Sequence, residues 1–240
     1  LDIYAVHPYG HLAGSPEEFA PFFAKMNEVL VDKNGKGISL WATEFGYYGA
    51  DAKPLMPWIA PRNYFSANVL RKSEKEAADY SVRAAVIMLA HRVEKIFYHQ
   101  GVEAQLNNNC MTLECPFFGP LGTPRKVYVA QAVLADLLGP APRFAGTLKK
   151  PETPGETLTG EVYGYAFQGG QKAVLVAWAP EINQNRWALE LPGKSDTRPL
   201  HVFGLAGKEL PNDKIRLGES LVYVVSREQN AQDLLNAFTL

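Results

Sequence analysis

Short apolar runs and longer, helically spaced apolar stretches take turns along the first 140 positions. The runs LDIYAV (1–6), ISLWAT (38–43) and EKIFYH (94–99) read as strands, the first two as buried ones. Between and after them, apolar residues recur three and four apart, as on one face of a helix. SPEEFAPFFAKMNEVLVDKNG (15–35) predicts a helix, with Ser15 as N-cap, Pro16 at the first position, Glu18 closing a capping box and Gly35 as the stop. SEKEAADYSVRAAVIMLAHRV (73–93) predicts a second, opened by a capping box from Ser73 to Glu76. TPRKVYVAQAVLADLLG (123–139) predicts a third, with Thr123 as N-cap, Pro124 first and Gly139 at its end. Strand, helix, strand, helix, strand, helix is the signature of a parallel sheet with crossover connections.

From about Arg143 the period changes. GEVYGYAFQGGQKAVLVAWAP (160–180) alternates, turns at Gly169-Gly170 and alternates again, which predicts a hairpin. RWALEL, PLHVF and SLVYVVS are further short strands separated by Pro, Gly, Asn and Asp, and EQNAQDLLNAF suits a short final helix. This part reads as an all-β module of the sandwich kind, with Trp178 and Trp187 in its core. The expected division is a domain over 1–142 and a second over 143–240.

Composition narrows the picture. The 240 residues are 47% hydrophobic and 20% charged, an ordinary globular balance. A net charge of -1 gives no basic footprint, so no nucleic-acid partner is expected. The apolar runs are too short to span a bilayer, and no membrane association is expected. The chain opens on Leu1-Asp2 without an initiator Met or a signal peptide, as a processed or truncated piece would. Cys110 and Cys115 form a small disulfide if the protein is exported, or stay as two free thiols. A secreted or periplasmic place is set slightly ahead of a cytoplasmic one. Asn107, Asn108 and Asn109 beside the cysteines are poor ligands, so no metal is expected, and no organic cofactor.

The chemistry lies at the strand ends. WATEFGYYG (41–49) places Glu44 at the end of an apolar strand among Phe45, Tyr47 and Tyr48. A carboxylate there is costly unless it is paired or does chemistry. His7 and Tyr9 follow the first strand, two apart and therefore on one side. Tyr98 and His99 close the third. Parallel strands present their C-terminal ends on one side, where (β/α)8 barrels keep their active sites. A glutamate among imidazoles, hydroxyls and aromatic faces fits glycoside chemistry, in which carboxylates react and aromatics stack on sugar rings. His11, Tyr47 and Trp58 lie nearby by loop position; Trp58 is a sugar platform or a loop anchor. A structural Glu44 would instead cap a helix or pair with an arginine such as Arg62, and His91 is expected to be structural.

VHPYG followed by LWATEFG resembles strands six and seven of the clan A glycoside hydrolases, the retaining (β/α)8 barrels. SEKEAADYSVRAAVIMLAHRVEKIFYH is similar to the helix and eighth strand of their family 39-like and family 5-like members, and TPRKVYVAQAVLADLLG to their last barrel helix. The resemblance implies the C-terminal part, about strands 6–8, of a TIM barrel followed by a β-sandwich. It implies a retaining hydrolase of β-linked glycans or glycosides with Glu44 as nucleophile. Tyr9 would hold that carboxylate, and His7 and Tyr98 would meet the sugar; His99 is a further substrate-binding candidate by its place at the strand end. The family usually carries Trp where this chain has Tyr98, a smaller stacking face. Its general acid/base follows an asparagine at the end of strand four, in a segment that would precede Leu1. A complete barrel takes about 250 residues, so the resemblance implies a missing N-terminal barrel segment, in the same protein or another chain. Glu103 and Glu114 do not match the acid/base motif. The competing readings are a non-catalytic carbohydrate-binding protein and an inactive structural fragment.

Overall fold

The computed structural model describes residues 2–8, 15–49, 51, 70–99, 117–118, 122–148, 162–179, 188–189, 199–212 and 215–238. These form two compact units, Leu1–Gln131 and Ala132–Leu240. In the first, β1 (Ile3–Val6), β2 (Ser39–Phe45) and β5 (Val93–Tyr98) make a three-stranded sheet in the order β1-β2-β5. Both pairs are parallel, so the alternating grammar of the sequence is realised as crossovers. Helix α1 (Phe19–Val29) lies between β1 and β2, and α2 (Glu74–Ala90) between β2 and β5. A short parallel ladder, β3 (Tyr48–Gly49) with β4 (Leu70–Arg71), sits ahead of α2. Phe19, Phe23, Leu40, Ala42, Phe45 and eight residues of α2 from Ala77 to Met88 are buried apolar core.

Local chemistry moves several expected boundaries. Ser15 does cap the first helical turn, but that turn is a 3-10 helix over Pro16–Glu18. The carboxylate answering Ser15 is Glu17, not Glu18. Glu17 is drawn inward by Arg83 of α2, whose Nε lies 2.7 Å from Glu17 Oε1. Helix α1 stops at Val29, short of Gly35. Asp32 Oδ1 accepts from the backbone N–H of Asn34 and of Lys36, both at 2.8 Å, which favours a tight turn over another helical turn. Those two donors hold the Asp32 carboxyl below the usual carboxylate range, with Lys36 the stronger cause. Gly35, at φ 76°, serves that turn. Helix α2 opens as expected, with Ser73 Oγ accepting from Glu76 N at 3.1 Å. Asp51 Oδ1 accepts from Glu74 N at 2.6 Å and satisfies a further first-turn donor. Helix α3 (Lys126–Leu138) begins later than Pro124. Pro124 instead bridges Phe118, and Arg125 N donates to Phe117 O at 2.7 Å.

His91 caps the C-terminus of α2, and its carbonyl accepts from Asn27 Nδ2 at 2.6 Å. Burial pushes its imidazole below the ordinary value of 6.5. The unfolded chain therefore takes up this proton at higher pH than the folded one. The contribution of His91 is complete above the ordinary imidazole value and is lost as pH falls through it toward the folded value. Urea midpoints between pH 5 and 8 should show this rise with pH, and His91→Gln should remove that part of it.

The second unit is built on β6 (Arg143–Thr147), β7 (Tyr163–Gly169), β8 (Lys172–Trp178), β9 (Ala188–Leu189), β10 (Leu200–Gly204), β11 (Glu209–Leu210), β12 (Ile215–Arg216) and β13 (Val222–Ser226), with α4 (Ala231–Ala237). Six strands form an antiparallel sheet in the order β11-β10-β13-β8-β7-β6, and β12 pairs with β9. The expected hairpin is present. Gly169 still pairs with Lys172, so its turn is Gly170-Gln171, one residue later than expected, with Gly170 at φ 58°. One face of the sheet presents Ala166, Leu175, Ala177, Val202 and Val224 to Ile215, Leu217, Leu234 and Phe238 in one core. The other face is buried too, with Tyr165, Phe167, Val176, Trp178 and Tyr223. The end of α3 passes close to β7: a Cβ on Gly169 would lie 2.2 Å from the Leu138 carbonyl oxygen, so only glycine fits. Cys110, Cys115 and Trp187 lie outside the described residues. Among the described residues no helix is long and apolar enough to cross a membrane.

Candidate active site

The candidate site begins with a phase change in β2. Leu40 and Ala42 are buried, so simple alternation would send residue 44 into the same core. The burial of β2 instead shows two half-exposed residues in a row, Thr43 and Glu44, before buried Phe45. The ladder shows why. Ala42 pairs with Ile96 and Phe45 with Tyr98, so two residues of β2 span what one residue of β5 spans. This bulge gives Phe45 the buried position and turns Glu44 to the face that carries Trp41. On that face Lys95 Nζ lies 4.2 Å from the centre of the Trp41 ring, and Phe97 is exposed.

Each neighbouring strand brings one histidine to Glu44. His7 follows β1 directly, and its Nδ1 lies 3.1 Å from Glu44 Oε2. That distance suits a hydrogen bond when Nδ1 carries the proton. His99 follows β5, and its backbone N–H donates to the Phe45 carbonyl at 2.9 Å, extending the ladder past the last paired residue. His99 Nε2 lies 3.6 Å from Glu44 Oε1, an electrostatic approach just beyond hydrogen-bond reach. The carboxylate is one-third exposed, with side-chain accessibility of 34%. It is open to a ligand yet held on two sides.

The other expected site residues separate. Tyr98 packs against Phe45 and Phe117, with ring centres 5.4 and 4.8 Å away. Tyr47, expected beside a cleft, is fully buried, edge-on to both Phe45 and Tyr80. Among the described residues its hydroxyl has no hydrogen-bond partner, and burial drives its ionisation far above the ordinary phenol value. Tyr47 is a core aromatic, because the bulge that exposes Glu44 returns the following residues to the packed side. Tyr9, His11, Trp58, Arg62, Glu103 and Glu114 lie outside the described residues. Several described carboxylates of this unit are committed elsewhere: Glu17 to Arg83, Glu74 to Arg125, Asp79 to Lys75 and Glu94 to Ser39. Among the described residues no group of three or more His, Cys, Asp or Glu is arranged to hold a metal ion. Sequence reading placed His7 and His99 at the strand ends but missed the bulge. Its signal was present, as the apolar alternation Leu40, Ala42 skips 44 and resumes at Phe45.

Chemically, the arrangement offers a partly exposed carboxylate with an imidazole close to each of its oxygens. No protein-family model matches the chain, and no curated protein does. Solved structures do. The chain is similar to a family 39 glycoside hydrolase from the gut symbiont Bacteroides cellulosilyticus WH2, at 19% identity and a TM-score of 0.60. The likeness covers 94% of this chain and 44% of that one. A glucosidase from Croceicoccus marinus is similar at 12% identity and a TM-score of 0.55, over 95% of this chain and 54% of that one. A conserved exported protein from Bacteroides fragilis is similar at 12% identity and a TM-score of 0.54, over 93% and 46%. The fold is therefore similar to part of the fold of these solved structures, two of them glycosidases, and the chain spans about half their length.

Proposed function

We propose that the protein is a retaining glycoside hydrolase acting on a β-linked glycan or glycoside, with Glu44 as its nucleophile. The observation that carries this reading is the bulged end of β2, which aims Glu44 at the open face between His7 and His99 in a glycosidase-like fold. In the first step Glu44 attacks the anomeric carbon, a carbon–oxygen bond to the enzyme forms, and the bond to the leaving-group oxygen breaks. A second carboxyl group protonates that oxygen and later takes a proton from the water that releases the sugar. That group belongs to the N-terminal barrel segment, at the end of strand four, in the same protein or another chain. Strands β1, β2 and β5 then correspond to barrel strands six to eight, residues 1–142 to the C-terminal part of the barrel, and 143–240 to a β-sandwich accessory domain. Tyr9 holds the nucleophile, while His7, His11 and Trp58 contact the sugar; Tyr98, packed against Phe45 and Phe117, supports the strand end instead. An exported place, secreted or periplasmic, suits a glycan substrate.

The test is covalent trapping. The intact protein is incubated with aryl 2-deoxy-2-fluoro-β-glycosides of several sugars, then digested and mapped by mass spectrometry. The expected result is one fluoroglycosyl group on the peptide that contains Glu44. Labelling on a different carboxylate, with Glu44 unmodified, would remove the assignment.

A further inference from the structure

Resting on the proposed role of Glu44, we infer that His99 is a positioning residue for this carboxylate rather than a contact for the sugar. Three observations converge. The imidazole Nε2 of His99 faces Glu44 Oε1 at 3.6 Å, while His7 faces the other oxygen at 3.1 Å, so the two imidazoles straddle the carboxylate from opposite neighbouring strands. The backbone of His99 is tied to the same residue that closes the bulge, through its N–H to the Phe45 carbonyl at 2.9 Å. The imidazole therefore rides on the ladder that aims Glu44 and does not depend on a separate loop. The His99 side chain is also the more enclosed of the two histidines, 26% exposed against 54% for His7, as befits a support more than a surface for a ligand.

The approach of 3.6 Å is too long for a hydrogen bond, so the influence is electrostatic and steric. His99 restricts the side-chain rotation that bulging leaves to Glu44, and its dipole or charge draws Oε1 toward β5. A carboxylate turned by one rotamer no longer meets an anomeric carbon in line, and misplacement of about 1 Å costs roughly 100-fold in rate. Binding of the sugar in the ground state does not need that alignment. His99 thus acts on kcat, whereas a sugar contact acts on KM as well.

Two experiments on the intact protein separate this role from the proposed function itself. The five histidines of this chain are assigned in long-range ¹H–¹⁵N spectra by substituting each in turn. At fixed pH, Glu44→Gln should move the ring-nitrogen resonances of both His99 and His7. His91, which precedes β5 at its opposite end, should stay in place and serves as the reference. This readout needs no turnover. In kinetics on aryl β-glycosides, His99→Leu should lower kcat about 10- to 100-fold with KM changed less than about threefold. His99→Gln, which keeps a side-chain nitrogen donor, should recover most of the loss. His99 resonances unmoved by Glu44→Gln, or a His99→Leu variant whose defect lies in KM, would overturn the inference. Coupled resonances in a protein that hydrolyses no glycoside would leave the pairing standing and overturn the proposed function instead.

Discussion

Replacing Glu44 by Gln in the intact protein is expected to lower kcat on aryl β-glycosides by about 10⁴-fold or more, with little effect on folding. The size follows from what the residue does in a double displacement. It forms the bond to the anomeric carbon, and the amide that replaces it is a far poorer nucleophile, so the loss resembles removal of a covalent nucleophile elsewhere. Folding should survive because Glu44 is one-third exposed and its known neighbours, His7 and His99, are themselves partly open to solvent. Removing the Glu44 charge beside them strands no fully buried charge. A stronger form of the test uses Glu44→Ala with azide and an activated aryl β-glycoside. Azide entering from the vacated face would attack the anomeric carbon, expel the aryloxide and give an α-glycosyl azide. A β-glycosyl azide would mean that Glu44 is the acid/base. Unchanged kcat in Glu44→Gln would assign the nucleophile to a different carboxylate, whereas glycan affinity without turnover in the unaltered protein would leave a carbohydrate-binding surface as the reading to pursue.

What the sequence made legible depended on how local the deciding interaction is. The runs LDIYAV, ISLWAT and EKIFYH became β1, β2 and β5 because a short apolar run between helical stretches has few other solutions. Ser73 capping Glu76 N, and Gly139 at φ 72° after α3, followed from chemistry spanning four residues or fewer. The misses share a different cause. Helix α1 ends early because Asp32 bonds the backbone of Asn34 and Lys36, a competition that helical periodicity does not register. Glu17 takes the place expected of Glu18 because its partner, Arg83, lies 66 positions away. At the site, strand-end logic brought His7, Glu44 and His99 to the C-terminal ends of the three strands. Which face Glu44 takes was fixed by pairing with β5, through the extra residue between Ala42 and Phe45. The same pairing buries Tyr47, which loop position alone had set beside the cleft.

Arg83→Ala is expected to destabilise the first unit by about 3–5 kcal/mol, because it removes the charge that faces a buried carboxylate. The side chains of Arg83 and Glu17 are 4% and 7% exposed. Both Nε and an amino nitrogen of Arg83 reach Glu17 Oε1, while Oε2 accepts from the Ser15 hydroxyl. Without the guanidinium, that buried carboxylate loses the opposite charge at Oε1 and keeps the Ser15 hydroxyl at Oε2. Arg83 also lies over the Tyr80 ring, 4.9 Å from its centre, with Arg71 over the same ring at 5.0 Å. The loss therefore includes a cation–π contact of about 0.5–2 kcal/mol. This ion pair ties the first helical turn, which follows β1, to α2, which leads into β5. It joins the supports of the two strands that carry His7 and His99. The measurement is hydrogen exchange of α2 amides in native buffer, because a chain of two units need not unfold in one step. Arg83→Ala should speed exchange across α2, whereas the double variant Arg83→Met with Glu17→Leu should restore much of the protection, since an apolar pair of similar volume carries no charge to strand. Equal loss in the single and double variants would show that packing volume, and not the unpaired carboxylate, sets the cost.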